Sequence, residues 1–134
     1  SLTVTGIDRA ADIAGALATV QRERAQALLV QASPLAIDNR THIVELAARH
    51  RLPAMYEVEG FVDAGGVVSY GPSLSDMYRR AAGYVDALLK GAKPADLPVE
   101  LPNKYDLVFN LKTAKVLGLQ IPQSLILRAS RVVD

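Results

Sequence analysis

The side chains best placed to contact a ligand lie at the ends of two predicted strands, residues 54–58 and 67–70. The residues at or near these strand ends are Tyr56, Glu57, Glu59, Phe61, Tyr70 and Ser73. In a parallel α/β sheet, ligands bind just beyond the carboxyl ends of the strands, so these positions predict a binding site. The alternative is a surface loop whose aromatic side chains pack locally. The spacing alone does not separate the two interpretations.

Charged and hydroxyl groups around these strands indicate which ligand groups could be held. Glu57 and Glu59 alternate along a strand end and would point to opposite faces, which makes them a poor acid–base pair. Either carboxylate alone could hold an amine. Ser33 precedes Pro34 at a predicted helix start, where its hydroxyl and nearby amides could hold an anion such as a carboxylate. Simple helix capping is the commoner role of such a serine.

No set of residues predicts catalysis, a metal site or a cofactor. His42 and His50 are eight residues apart, not the four that place two metal ligands on adjacent helical turns. Gly65 and Gly66 lack the lysine of a phosphate loop and the spacing of a dinucleotide fingerprint. The chain contains no cysteine, which excludes thiolate nucleophiles and thiolate metal ligands. We therefore predict a non-enzymatic protein without metal or cofactor.

The length and composition predict one globular domain rather than a nucleic-acid or membrane protein. Half of the 134 residues are hydrophobic and 22% are charged, enough apolar material for a core. The net charge is +1 and the basic residues are scattered, so we expect no nucleic-acid partner. No apolar run approaches the roughly 20 residues of a membrane helix. The sequence opens inside an apparent strand and shows no signal peptide, so we expect a piece of a longer protein.

The first half of the chain alternates predicted strands with predicted helices. Strands are expected over residues 2–7, 27–30 and 54–58. Helices are expected over residues 9–24, capped by Asp8, and 34–50, where Asp38 or Thr41 could equally be the cap instead of Ser33. The short apolar run 27–30 is typical of a strand that is buried on both faces. This β-α-β-α-β order predicts a parallel sheet with helices on both faces.

The second half begins with the clearest amphipathic pattern in the chain. A helix is predicted over residues 74–90 with a cap at Ser73 and a continuous apolar stripe. An extended piece at 99–101 and a strand at 105–109 follow. Asn110 is expected to cap a helix over residues 111–117, and Pro122 to open a last helical turn or two.

Three segments resemble motifs of one family in the same order along the chain. Residues 105–125, YDLVFNLKTAKVLGLQIPQSL, resemble the closing pattern INLKTAKALGLTIPPSLL of ABC transporter substrate-binding proteins. Residues 88–100, LLKGAKPADLPVE, resemble that family's ILKGAKPADLPVE, and residues 61–72, FVDAGGVVSYGP, resemble its second internal motif. The resemblance covers nearly the whole chain.

The resemblance implies the second lobe of a type I periplasmic binding-protein fold, in which two α/β lobes close on a ligand. Residues 1–70 and 105–134 would form the second-lobe core, and residues 71–104 a hinge-connected helix and extended segment. Segments 70–73 and 101–105 would be hinge crossings. The implied ligand-facing residues are Ser33, Tyr56, Glu57, Glu59, Phe61, Tyr70 and Ser73.

The implied function is the solute-binding component of a periplasmic ABC importer. Such a protein would bind a small organic solute, with an aromatic or other amino acid as one possibility, and deliver it to an ABC permease. The alternatives are an effector-binding domain of a transcription regulator and a flavodoxin-like enzyme. Because the apolar stripe of residues 74–90 needs cover, we also expect a homodimer through residues 74–101, with folding of that helix back over its own sheet as the alternative.

Overall fold

A five-stranded mixed sheet forms the centre of the protein, in a computed structural model that describes residues 2–134. The strands follow one another across the sheet in chain order: β1 (Leu28–Val30), β2 (Ala54–Tyr56), β3 (Val68–Pro72), β4 (Tyr105–Asn110) and β5 (Arg131–Val133). β1, β2 and β3 are parallel to one another, β4 is antiparallel to β3, and β5 is parallel to β4. The predicted α/β class is confirmed.

Seven α-helices and two short 3₁₀ turns connect the strands within the described residues. The helices are α1 (Ile13–Arg22), α2 (Pro34–Asp38), α3 (Arg40–Arg49), α4 (Gly60–Asp63), α5 (Leu74–Leu89), α6 (Leu111–Val116) and α7 (Gln123–Ile126). The 3₁₀ turns are Ala10–Asp12 and Pro94–Asp96.

The main core lies between one face of the sheet and the layer formed by α1, α3 and α4. Alternation along β1 and β2 turns Leu28, Val30, Ala54 and Tyr56 toward this layer. The helices contribute the buried residues Ile13, Leu17, Ile43, Val44, Ala47 and Phe61. The apolar residues of these helices therefore face the sheet.

The opposite face of the sheet is open at β1, which corrects the expected burial of that strand on both faces. Leu29 points away from the main core and is 66% exposed. Its neighbours across the sheet, Met55 and Val68, are only partly buried. An apolar surface therefore runs over β1, β2 and β3.

Residues 2–7 do not form the predicted strand. They have no regular secondary structure, and Leu2 and Val4 are 87% and 84% exposed. Ile7, at the end of the segment, packs against the main core. A strand needs a neighbour to pair with, and alternation in the sequence does not supply one.

The helices differ from the predictions mainly at their boundaries. The helix expected over residues 34–50 is divided at Asn39 into α2 and α3, while Ser33 caps α2 as predicted. The helix expected at residue 9 begins as a 3₁₀ turn capped at Arg9 rather than Asp8. There the Arg9 guanidinium hydrogen-bonds the Asp12 carboxylate and lowers the pKa of that carboxyl.

β4 runs antiparallel because the chain leaves and re-enters the sheet at the same end. β3 ends at Pro72, which pairs with Tyr105 at the start of β4. The Ser73 N–H donates to the Lys104 carbonyl at 3.0 Å, so the outgoing and returning chains lie side by side. The intervening residues form α5 and the segment that returns along it.

α5 projects from the sheet with none of its residues buried, so the helix does not fold back over its own sheet. Its apolar stripe includes Leu74, Met77 and Val85, which are about half exposed. On another side of the helix, the Tyr84 hydroxyl donates to the Pro98 carbonyl at 2.7 Å, and Arg80 pairs with Glu100. This hydrogen bond from Arg80 to Glu100 raises the pKa of the guanidinium. The returning segment contains the 3₁₀ turn Pro94–Asp96, and the expected extended piece at 99–101 has no regular structure.

Candidate functional site

The candidate site lies where the carboxyl ends of β1, β2 and β3 meet the amino end of β4. Ser33 follows β1, Glu57 follows β2 and Ser73 follows β3. Because β4 runs antiparallel to β3, its first residues lie at this same end of the sheet. Asp106, the second residue of β4, pairs there with Gly71. Four segments that are distant in sequence thus converge at one edge of the sheet.

Glu57 ties two of these segments together. Its carboxylate oxygen Oε2 accepts a hydrogen bond from the Ala32 N–H at 2.9 Å, which links the ends of β1 and β2. Glu57 is an exposed residue, and its other carboxylate oxygen has no hydrogen-bond partner among the described residues. A fixed carboxylate with an open oxygen can accept hydrogen bonds from a cationic group.

Gly71 allows the end of β3 to approach Glu57 very closely. A Cβ added at residue 71 would lie 1.9 Å from the Glu57 carbonyl oxygen, well inside any allowed contact. Only glycine fits there, so the start of the outgoing chain and the backbone of the candidate ligand residue are in direct contact.

A shallow groove that is open to solvent lies at this junction. Its lining residues are Glu57, Val58, Glu59, Gly71, Pro72, Leu74 and Asp106. Three carboxylates and no basic side chain line it, so the groove favours a cation or the ammonium group of a larger ligand. Its enclosed volume of about 20 Å³ is far below that of a closed pocket for a small molecule, which is typically about 300–1,000 Å³.

Glu59 is oriented by partners outside the groove. It occupies the N-cap position of α4, and the Arg131 guanidinium lies 3.4 Å from its carboxylate and 2.8 Å from that of Asp63. The expected strand end is therefore a helix start. Since Arg131 already neutralises part of the charge, Glu59 is less available to a ligand than Glu57 is.

Tyr56 and Phe61 are core residues rather than surface residues. Their side chains are 1% and 0% exposed, and their rings stack at 4.7 Å with an interplanar angle of 12°. Burial raises the pKa of the Tyr56 phenol to about 12. This arrangement corresponds to the local packing that the sequence left open as an alternative, and neither ring faces the groove.

The remaining predicted residues surround the site in different ways. Ser33 Oγ accepts the Ala36 N–H at 3.1 Å, which is a capping role, and Ser33 is half-buried. Ser73 is buried, with its Oγ 3.3 Å from Ser75 Oγ. Tyr70 is half-exposed on the open face of the sheet, where it stacks on Tyr105 with ring centroids 5.7 Å apart.

Sequence reasoning missed Asp106 as part of the site. The residue lies inside a predicted strand, and only the antiparallel return of β4 reveals that its position is level with Gly71. The length of the connector, residues 91–104, could have indicated the position of Asp106. It is long enough for the chain to return along the preceding helix to the end of the sheet that it left.

The histidine that the sequence singled out at the end of α3 lies away from this groove. His50 lies on the surface with its Nδ1 2.6 Å from Gln21 Nε2. Among residues 2–134, no three acidic or histidine side chains are grouped so that they could hold a metal ion. No helix in this part of the chain has the length and apolar character needed to cross a membrane.

The sequence and fold both match known substrate-binding proteins. Residues 1–133 match a family model described as ABC transporter substrate binding protein. Among solved structures, the chain is similar to an ABC domain in complex with L-Trp from Streptococcus pneumoniae, with 26% identity and a TM-score of 0.90. That alignment covers 99% of this chain and 45% of the other. No curated protein matches the sequence significantly.

Two further structures show the same fold at lower identity. A conserved domain protein from Vibrio cholerae is 23% identical with a TM-score of 0.86. A ligand-free, open substrate-binding protein with adhesive properties from Clostridium difficile is 19% identical with a TM-score of 0.66. Each alignment covers 96% of this chain and 43% of the other protein. The chain thus spans less than half the length of the structures that it resembles.

Proposed function

Because this chain belongs to the family of ABC transporter substrate-binding proteins, we propose that it is the ligand-binding second lobe of a receptor for a small organic solute. The receptor delivers the solute to an ABC permease, and the parent protein works in the periplasm. The observation that carries the proposal is the convergence of the β1, β2 and β3 ends on Glu57, where parallel sheets bind ligands. This family membership favours a receptor over a regulator's effector domain or an enzyme.

Binding in this proposal is coupled to closure about the crossings at residues 70–73 and 101–105. The two crossings lie side by side, joined by the hydrogen bond from Ser73 to Lys104. A pair of adjacent strands can bend together, so residues 71–104 and the lobe they belong to can rotate against the sheet. Ligand contacts made from both sides favour the closed state over the open one.

The proposed ligand carries an ammonium group, with amino acids, including aromatic ones, as the leading class. Glu57 and Asp106 supply negative charge at the groove. The similar protein from Streptococcus pneumoniae is in complex with L-Trp, which carries an ammonium group beside its apolar ring. A second lobe that closes over the groove would enlarge it to the volume that such a ligand needs.

A second copy of the chain is the other partner in this proposal. The apolar stripe of α5 has no cover in the described residues, and residues 99 and 101 beside it are strongly exposed. Pairing two such stripes about a two-fold axis would bury both at once. The expected contact runs over residues 74–101.

The test of the ligand proposal is the substitution Glu57→Gln in the full-length receptor. Glutamine keeps an oxygen to accept the Ala32 N–H but removes the charge. Because a hydrogen bond to a charged group contributes about 1.5–3 kcal/mol, we expect affinity for the amino acid to fall more than tenfold. Isothermal titration calorimetry with a panel of L-amino acids that includes L-Trp measures the change.

Glu45→Gln is the matched control, since Glu45 is exposed on α3 and pairs only with Arg49 in the described structure. Its affinity should equal that of the unchanged receptor. Equal affinity for Glu57→Gln would remove this carboxylate from the site. A receptor that binds none of the amino acids would overturn the ligand class.

A further inference from the structure

We propose that Arg131 sets the charge class of the ligand. Its guanidinium occupies the place of a second ligand cation at the groove, so the receptor prefers a ligand with one positive charge to a ligand with two. The inference rests on the proposed function, because it names the ligands that the same groove accepts. Glu59 and Asp63 hold Arg131 in place, and Arg131 acts on the ligand through the charge that it neutralises on Glu59.

The three carboxylates that line the groove differ in their partners. Glu57 accepts a hydrogen bond from a backbone N–H, which is uncharged, so this carboxylate keeps its charge. Asp106 has no ion-pair partner in the described part of the chain. Glu59 is the one groove carboxylate among the described residues that is paired with a cation, with Arg131 Nη2 3.4 Å from its Oε2. The chain thus neutralises one of the three charges and leaves two for a ligand.

The sheet places Arg131 beside α4. Arg131 is the first residue of β5 and pairs with Val108 of β4. Because alternate residues of a strand share a face, Asp106, Val108 and Arg131 turn their side chains toward the same side of the sheet. Val108 is level with Ser69 of β3, and Ser69 with Tyr56 of β2, so this side is the one that carries the main core and α4. A long basic side chain at the start of β5 therefore reaches α4 next to the groove.

Asp63 fixes the guanidinium from a second direction. Its Oδ1 lies 2.8 Å from Arg131 Nη2, which is closer than the 3.4 Å between the same nitrogen and Glu59 Oε2. Asp63 is not among the residues that line the groove. It follows Glu59 by four residues, about one helical turn, so both carboxylates lie on one side of α4. The contact with Asp63 therefore keeps the cation beside Glu59 even when a ligand approaches Glu59.

The exposure of these three side chains indicates an electrostatic role rather than a structural one. The side chains of Arg131, Glu59 and Asp63 are 41%, 55% and 53% exposed. Ion pairs at such exposed positions contribute little to folding stability, because water and salt screen them. The charge at the groove, in contrast, changes from three negative charges to two when Arg131 is present. The main effect of this arginine is therefore on which cations the groove attracts.

Discrimination follows from where a second ligand cation would have to lie. Glu57 and Asp106 are open to the ammonium group of a ligand, whereas a second ammonium group at Glu59 would meet the Arg131 guanidinium. A like charge placed where an unwanted partner would bind is a common source of specificity. The groove therefore favours amines and amino acids with uncharged side chains over diamines and basic amino acids.

The substitution Arg131→Gln in the full-length receptor tests the proposal with two probes of equal length. Pentylamine carries one ammonium group and 1,5-diaminopentane carries two, and neither has a carboxylate that another part of the receptor could bind. We expect the ratio of diamine affinity to monoamine affinity to rise about fivefold in the variant, the upper end of what one exposed ion pair contributes. Chemical-shift titration of the Glu57 and Asp106 amides measures both affinities, at an ionic strength of about 0.01 M where screening is weak.

Three further variants separate the charge of Arg131 from other effects. Arg131→Lys should restore the low ratio, because the proposed role depends on the positive charge. Arg128→Gln is the matched control: Arg128 is exposed in the turn before β5, has no ion pair in the described residues, and should leave the ratio unchanged. Adding Glu59→Gln to Arg131→Gln should abolish the gain in diamine affinity, since the released carboxylate is its source.

Two results would overturn the inference. One is an unchanged ratio in Arg131→Gln, or a ratio that changes equally in Arg128→Gln. The other is a gain in diamine affinity that persists after Glu59→Gln is added. A receptor that binds amino acids but keeps its ratio in Arg131→Gln contradicts this inference alone. A receptor that binds no amino acid but shows the expected change of ratio supports the role of Arg131 and contradicts only the ligand class proposed above.

Discussion

The buried phenol of Tyr56 shows how a residue beside a binding site can serve the fold instead. Its ring is held between the sheet and Phe61, and the cost of ionising a buried phenol raises its pKa to about 12. The same burial that removes Tyr56 from the groove fixes the backbone of Glu57, the next residue. Packing at position 56 therefore positions the candidate ligand group at position 57.

Tyr56 should make stability fall at alkaline pH. Below pH 10 the phenol is protonated in both states; between pH 10 and about 12 the unfolded chain loses this proton while the folded chain keeps it, so the free energy of unfolding decreases as pH rises. Two pKa units correspond to roughly 2.7 kcal/mol at most. Urea unfolding from pH 9 to 11.5 should show a shallower decrease for Tyr56→Phe than for the unchanged chain.

Tyr78→Phe provides the control for this measurement because Tyr78 is 76% exposed. That variant should keep the pH dependence of the unchanged chain. An identical decrease in all three proteins would mean that Tyr56 titrates normally in the fold.

Residue types alone could not separate Tyr56 and Phe61 from Glu57. All three lie in one short stretch beyond a strand, and the sequence correctly marked that stretch as the end of the sheet. Which side chains turn inward depends on the short helix α4, which begins directly after Glu59 and carries Phe61 into the core. A four-residue helix has too few residues to leave a periodic pattern in the sequence.

At the scale of elements, the cap of α6 and the length of α5 could be predicted from the sequence, whereas the pairing of the strands could not. Asn110 caps α6 as predicted, and α5 occupies nearly its predicted length. The antiparallel direction of β4, the strand β5 and the missing strand at residues 2–7 all depend on neighbours distant in sequence. Strand pairing is decided by which edges the rest of the chain leaves available, and the sequence of a single strand does not contain that information.

The cap at Asn110 gives an element-scale prediction. Its side-chain oxygen accepts the Thr113 N–H at 2.9 Å, and the residue is only 8% exposed. Asn110→Ala should lower the free energy of unfolding by about 1–2 kcal/mol, since an amide at the start of α6 loses its partner. Chemical denaturation monitored by circular dichroism measures the loss.

Asn103→Ala is the matched comparison, because Asn103 is exposed and lies outside every helix and strand. It should change stability by less than about 0.5 kcal/mol, as surface substitutions usually do. Equal effects at the two positions would show that the cap contributes nothing specific.

At the scale of the whole molecule, the chain has two apolar surfaces that the described residues leave uncovered. One is the sheet face at Leu29 and the other is the stripe of α5. They lie on different elements, and the helix stripe is the surface that we propose to pair with a second copy.

The dimer is tested by size-exclusion chromatography with light scattering across a range of concentrations. We expect a mass that approaches twice 14.4 kDa as concentration rises. Replacing Met77 and Val85 by glutamate should return the mass to that of a monomer, because charges in the stripe would have to be buried unpaired. Exposed Val116→Glu should leave the dimer intact. A monomer at every concentration would contradict the prediction.

The contact between Gly71 and the Glu57 carbonyl has a consequence for anyone who redesigns the ligand preference of such a receptor. The backbone of Gly71 contacts Glu57, a candidate specificity residue, and also begins the crossing to α5. Position 71 therefore offers no diversity to a mutant library, whereas Glu57 and Leu74, which also line the groove, already carry side chains. A change of solute preference therefore requires substitutions among the side chains that surround position 71, because position 71 itself accepts only glycine.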